Sequence, residues 1–449
     1  MVNPWNKKTI VLSPSQWMIL GFTVIIGIGT LLLVLPIASQ SGKSLGFLNA
    51  LFTSTSAVCV TGLVVVDTGQ FFTHFGQIVI MLLIQIGGLG FMTYGVIIAL
   101  LLGKKLGLKH RFLIQESTNS ASIQGLVRLC LSIFTISVII EVLGSLLLTI
   151  HWYSELGLKQ ALYYAVFHSI SAFNNAGFGL WPDNLIRYVG DPVVNIVITL
   201  LVILGGLGFI VILDVMRKRK WRALALNSKI VLTTSAALIL AGFVVILITE
   251  MLSPAVFSNF TWGERLWAAY FQGVSPRSAG FNTVDIGKML AASQFFVIFL
   301  MFVGGASGST GGGIKINTFT VLLLAVFSHI RGRSDIHVFN RKISNETVLR
   351  ALSVIIISLG TVLLVAFLLT ITENKSKFDF IAILYEATSA FSTTGLTMGI
   401  TADLTSIGKI ILLVTMFIGR LGPLTLVYAL SKNKDTTKIG YAEERVLIG

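Results

Sequence analysis

Four glycines, Gly62, Gly177, Gly280 and Gly395, are spaced 115, 103 and 115 residues apart and share a common surrounding. Ten residues before each stands an aromatic, Phe52, Phe167, Tyr270 or Tyr385, and five before each a small residue, Ala57, Ala172, Ser275 or Ala390. The segments are Val60-Thr61-Gly62-Leu63, Asn175-Ala176-Gly177-Phe178, Ser278-Ala279-Gly280-Phe281 and Thr393-Thr394-Gly395-Leu396. A cation leaving water must exchange its hydration shell for fixed oxygens, and backbone carbonyls supply these without burying net charge. Glycine permits the positive φ such a turn needs and keeps side chains off the axis. One segment of this kind would be an ordinary turn; four in register predict a cation-selecting ring. Beyond the glycines come Asp67, Asp183, Asp285 and Asp403. A ring of acids at an outer mouth concentrates cations, and solvated loop carboxylates fit the same positions.

Non-helical backbone of this kind is tolerated at membrane depth only where it lines a cavity, so the surrounding elements must span a bilayer. They do so by composition. Of 449 residues, 54% are hydrophobic and 12% charged, with a mean hydropathy of +0.87, against about a quarter charged in soluble domains. Eight apolar segments, 17–37, 76–102, 127–150, 193–215, 230–252, 294–328, 348–372 and 407–430, are long enough to cross. The intervening stretches 38–75, 151–192, 253–293 and 373–406 each hold an apolar segment too short to cross, followed by one of the four glycines. The predicted fold is an all-α polytopic membrane protein with four parallel helix, pore-helix, helix repeats around a pseudo-fourfold pore. The repeats are 1–110, 111–222, 223–340 and 341–449.

Most of the 33 Lys and Arg fall in the N-terminal stretch, 103–126, 216–229, 329–347 and the tail after 430, including Arg217-Lys218-Arg219-Lys220. The positive-inside rule places these loops and both termini in the cytoplasm of a plasma-membrane protein. The net charge of +14 therefore reads as topology rather than nucleic-acid binding, with docking of a partner or anionic membrane lipid as a second use. The first span reads as a retained helix, not a cleaved signal. Cys59 and Cys130 lie far apart in apolar segments and give no disulfide or metal spacing.

The sixth apolar segment is interrupted by Gly304-Gly305-Ala306-Ser307-Gly308-Ser309-Thr310-Gly311-Gly312-Gly313. Glycines at this density break a helix, each costing up to about 1 kcal/mol relative to Ala, and an irregular loop at this depth must line the pore. It is the predicted gate. Lys315 follows it, but Ile314 intervenes and no strand precedes, so a phosphate loop is not met. Arg420 replaces the second glycine of the motif that reads Gly87-Gly88-Leu89-Gly90 and Gly205-Gly206-Leu207-Gly208 in the first two units. An intramembrane Arg is costly and by default functional; it is expected under the filter, repelling a waiting cation and hydrogen-bonding to loop carbonyls. Lys315 reads either as a second cation at the loop's inner end or as a chain snorkelling to the cytoplasm. Glu141 reads as the only acid well inside a span, serving a helix-to-helix hydrogen bond or a subunit contact.

The four-unit arrangement, the filter glycines and the glycine-rich break in the third unit resemble the Trk/Ktr/HKT superfamily of potassium transporters. The short N-terminus looks more like a bacterial Ktr-type membrane subunit than a Trk subunit. Glycine at all four filter positions implies K+ preference, since some plant members with Ser in the first unit pass Na+. The resemblance further implies a homodimer on a ring of cytoplasmic nucleotide-binding RCK (KTN) subunits that hold ATP or ADP, with no cofactor in this chain. Na+ as an activator stays open. A transporter of a small organic solute would show inverted repeats and paired helix breaks, whereas the sequence shows parallel units and one broken helix. An enzyme is not expected, as there is no H-E-x-x-H and no paired intramembrane acids.

Overall fold

The computed structural model describes residues 13–90, 93–94, 96–97, 126–252, 255–333, 335–373 and 377–422. The basic N-terminal stretch, the loop 103–125 and the tail after 430 lie outside the described residues. Helix α1 (Pro14–Val34) starts at a Ser13 capping box closed by Gln16, with Pro14 at its first position. Then follow α2 (Phe47–Val58), the single turn α3 (Thr68–Phe71) and α4 (His74–Leu89). Helix α5 (Leu126–Phe173) bends at Gly157, with φ +71°, and α6 (Pro192–Leu207) leads into α7 (Phe209–Lys218). The chain continues through α8 (Leu226–Leu252), α9 (Trp262–Val274), α10 (Ala291–Phe302) and α11 (Ile316–Ile330). A small hairpin, β1 (Ile336–Val338) and β2 (Arg341–Ile343), precedes α12 (Asn345–Thr372), α13 (Phe380–Ser392) and α14 (Ser406–Leu421). Its two turn residues, Phe339 and Asn340, are left-handed at φ +49° and +60°, as a two-residue hairpin turn requires.

Four helical stretches among the described residues are long and apolar enough to cross a bilayer: 15–34, 127–173 with its bend at Gly157, 226–252 and 345–372. They expose large apolar side chains outward, among them Leu31, Ile139, Leu240, Ile356 and Leu363. Bands of this kind face hydrocarbon. The interior is unlike a soluble core: Ser54, Thr55, Ser56, Ser169, Ser171, Thr388 and Ser389 are buried beside its aromatics. These polar groups mark the inner, segment-bearing side.

The other four predicted spans are not continuous helices. Helix α4 stops at Gly90 (φ +80°), α6 at Gly208 (φ +87°) and α14 at Gly422 (φ +84°), and α6 turns into α7 through 95°. Thus 76–102, 193–215 and 407–430 do not run unbroken, and the third unit is not alone in having a broken helix. A single left-handed glycine ends a helix without changing local hydropathy, so the sequence pattern does not register it.

Contacts between these elements run in a closed circle. Helix α4 packs on α5, α6 on α9, α10 on α13, and α14 on α2. The short helices α2, α9 and α13 and the last turns of α5 are thereby held on the inside, each ending next to one of the four glycine segments.

Candidate ion-conduction site

All four segments adopt the same backbone. The residue two before each glycine is left-handed, Val60 (φ +57°), Asn175 (+60°), Ser278 (+66°) and Thr393 (+48°). The glycines themselves stand at +94°, +69°, +76° and +86°. A non-glycine residue held there costs on the order of 1–3 kcal/mol and persists where surrounding structure enforces it, typically at functional positions. The residue between returns its N–H to the preceding short helix: Thr61 to Ser56 O (2.8 Å), Ala176 to Ser171 O (2.7 Å), Ala279 to Ser275 O (3.0 Å) and Thr394 to Ser389 O (2.9 Å). In the first and fourth segments the glycine N–H is also taken, by Ser56 Oγ (3.1 Å) and Ser389 Oγ (3.0 Å). With the N–H groups anchored outward, the carbonyls are left over. Among the described residues no donor reaches the carbonyl oxygens of Thr61, Ala176, Ala279 or Thr394.

Those carbonyls meet the glycines in order. A Cβ on Gly62 would stand 2.4 Å from Ala176 O, one on Gly177 3.0 Å from Ala279 O, one on Gly280 2.4 Å from Thr394 O, and one on Gly395 2.0 Å from Thr61 O. The sequence 62, 177, 280, 395 and back to 62 closes a ring around which no side chain fits. Leu63, Phe178, Phe281 and Leu396 follow it and are buried behind. Each short helix ends next to the ring, turning the negative end of its dipole toward it.

The acids beyond the ring have local partners. Asp67 caps Gln70 N (2.7 Å), Asp183 pairs with Arg187 (2.8 Å), Asp285 with Lys288 (3.0 Å) and Asp403 with Lys377 (3.1 Å). In three cases a basic residue offsets the charge that a cation-concentrating ring would need, which favours the loop-carboxylate reading.

The glycine-rich stretch forms a loop from Val303 to Ile314 directly beneath the third and fourth segments. Its ends are tied together by Gly304 N to Ile314 O (2.9 Å) and Ile316 N to Gly305 O (3.1 Å). A Cβ on Gly311 would lie 3.1 Å from Ser278 Cβ and one on Gly312 2.1 Å from Thr393 Oγ1, while Gly313 abuts Ser392. On its other side the loop bonds to the broken helix of the second unit. Ala306 N reaches Gly206 O (2.9 Å), Thr310 N reaches Gly205 O (3.3 Å), and Phe209 N donates to Gly308 O (3.1 Å); Ser307 O lies against Gly208. Thr310 Oγ1 adds a bond to Phe173 O (3.3 Å), at the foot of the second segment.

Arg420 clamps this loop. Its guanidinium donates to Thr310 O on the loop and to Gly87 O and Gly88 O on α4, as the expected bonds to loop carbonyls require. Lys315 does not snorkel: Nζ donates to Gly311 O at 2.6 Å. Glu141 makes the interhelical bonds foreseen for it, accepting from Gln85 Nε2 on α4 (3.0 Å) and from Asn174 Nδ2 beside the second segment (3.0 Å).

Buried charges escaped the sequence reading, Arg277 and Glu386 among them. Arg277, just before the third segment, donates to Ser235 O (3.2 Å) and Ser235 Oγ (3.1 Å) on α8. Glu386 on α13 is fully buried, so Glu141 is not the only acid at membrane depth. Both lie in the stretches between the long apolar segments, where charges read as loop residues. Alignment on the glycines was the available signal, because Glu386 stands nine residues before Gly395 as His168 does before Gly177.

The fold and this site define a helical multi-pass membrane protein in which short helices bring four backbone turns into one ring over an irregular loop. The chain matches the model of the TrkH family, described as cation transport proteins, over residues 5–439, and belongs to that family. It is similar to the Ktr system potassium uptake protein B of Bacillus subtilis, 46% identical over 442 residues and covering 98% of both chains. The protein of the same name from Vibrio alginolyticus is 41% identical over 433 residues, 96% of this chain and 94% of that one. The potassium/sodium uptake protein NtpJ of Enterococcus hirae is 38% identical over 441 residues, 98% of each. The potassium transporter TrkH from Vibrio parahaemolyticus shares the fold, with a TM-score of 0.73 at 19% identity, over 94% of this chain and 86% of that one.

Proposed function

We propose that this chain takes up K+ across the plasma membrane through the ring formed by residues 60–63, 175–178, 278–281 and 393–396. The observation that carries the reading is the set of four unpaired carbonyls at Thr61, Ala176, Ala279 and Thr394. Oxygens without internal donors at membrane depth are stabilised by a desolvated cation. The four units are parallel repeats around a pseudo-fourfold axis, the eight spans being completed by the broken helices, with both termini cytoplasmic. The 304–313 loop, held by Arg420 and Lys315, is the gate. The names of the relatives support K+ as cargo, and that of NtpJ fits a part for Na+. A homodimer on a nucleotide-binding RCK ring completes the proposal, its ATP or ADP bound by the partner, with the basic loops as docking surface and contact to anionic lipid.

A bacterium lacking its own K+ uptake systems, expressing this chain, is expected to accumulate K+, and more so when an RCK partner is co-expressed. No K+ uptake under either condition would contradict the proposal.

A further inference from the structure

Nine residues before the ring glycine, the four short helices carry Thr53, His168, Phe271 and Glu386. All but Phe271 are polar, yet only two of the four reach the backbone or side chains beyond the ring. In the fourth unit Glu386 Oε2 accepts from Thr397 Oγ1 at 2.8 Å and Oε1 from Thr401 Oγ1. The two hydroxyls also bond to each other at 3.1 Å, and Gly399 N donates to Thr397 Oγ1 at 3.0 Å. The carboxylate thus ties α13 to the turn 397–401, which starts two residues after Gly395. In the second unit His168 Nδ1 lies 2.8 Å from Tyr164 O and Nε2 accepts from Leu180 N at 3.3 Å, three residues after Gly177. Trp152, Tyr164 and Trp181 pack around that imidazole. Among the described residues Thr53 donates to Asn49 O within its own helix (2.9 Å) and to no group beyond the ring, and the Phe271 ring has no polar atom. The outer end of the ring is therefore braced from two alternate units.

We propose that Glu386 is a positioning residue that sets cation affinity by holding the 397–401 turn beside the fourth segment, with His168 as its counterpart in the second. This rests on the K+ uptake reading above. Burying a carboxylate completely is costly unless its oxygens are hydrogen-bonded, and both are used here on one short turn. Losing these bonds lets that turn relax, so Gly395 and with it the Thr394 carbonyl shift while the remaining segments keep their positions.

The test measures initial K+ uptake against K+ concentration in the uptake-deficient bacterium, with membrane content checked by immunoblot. Glu386→Gln and Thr401→Val are each expected to raise KM for K+ about tenfold with maximal rate within about twofold. The double variant is expected to be no worse than Glu386→Gln alone, because the Thr401 hydroxyl acts through the Glu386 carboxylate. Thr53→Val, which touches no such link, is expected to keep the wild-type KM. A KM within about twofold of wild type for Glu386→Gln, or singles that add independently, would overturn the proposal. If Glu386→Gln fails to reach the membrane, Thr397→Val and Thr401→Val decide by the same KM criterion. Absence of K+ uptake by the wild-type chain defeats the underlying reading instead, so the two failures are distinguishable.

Discussion

Replacing Gly62 with Ser is expected to lower K+ over Na+ discrimination about tenfold or more in uptake measurements. Gly62 stands at φ +94°, and a Cβ there would lie 2.4 Å from Ala176 O and 3.2 Å from Gly177 Cα. Both neighbours are backbone, which cannot swing aside as a flexible side chain does. Forcing a side chain into such a conformation costs on the order of 1–3 kcal/mol, and every 1.4 kcal/mol is tenfold in affinity. The segment must shift, and the Ala176 carbonyl with it, so the oxygen cage no longer matches one ion size. Gly263 provides the control, since a Cβ there meets nothing within 4 Å; Gly263→Ser is expected to leave discrimination unchanged. Intact K+ over Na+ discrimination in Gly62→Ser would remove the first segment from the selecting ring.

Excising residues 306–312 is expected to raise K+ flux about tenfold and to weaken its dependence on a partner subunit. The deletion is geometrically tolerable because the loop's ends already lie side by side, with Gly304 and Gly305 bonded to Ile314 and Ile316. What is lost are the bonds from Ala306 and Thr310 to Gly206, Gly205 and Phe173, those from Phe209 N to Gly308 O and from Lys315 Nζ to Gly311 O, and the Arg420 bond to Thr310 O. Hydrogen bonds of this kind contribute roughly 0.5–1.5 kcal/mol each, so losing several shifts a closed-to-open equilibrium by an order of magnitude or more. Arg420→Ala is expected to act in the same direction with smaller size. Arg420→Lys should not restore the wild-type rate, since one ammonium does not span carbonyls on two separate elements as a guanidinium does. Unchanged flux after the excision would take the loop out of the gating account.

The parts of this site that depend on residue type were legible in the sequence. The ring glycines are needed for their positive φ and missing side chain, and both leave a glycine in the chain. The loop at 304–313 announced itself by glycine density, and Arg420 by its isolation in an apolar run. What depended on shape alone was hidden. Val60, Asn175, Ser278 and Thr393 share one left-handed conformation yet have four different side chains, so no type marks the position. The helix ends at Gly90, Gly208 and Gly422 leave hydropathy unchanged, and those segments read as continuous spans. Glu386 and Arg277 were passed over because short helices between spans resemble loops in composition. The local partners of Asp67, Asp183, Asp285 and Asp403 are a matter of folded proximity, which spacing beyond the glycines does not give.

The central claim is that the carbonyls of Thr61, Ala176, Ala279 and Thr394 together hold the transported ion. The most direct test is anomalous diffraction from crystals of the purified protein soaked in Rb+, a heavier stand-in for K+. The account predicts a peak on the axis of the ring, within coordination distance of all four carbonyl oxygens, that is lost in Gly62→Ser crystals. An Rb+ peak elsewhere in the protein with none at the ring, in protein that still transports K+, would contradict it.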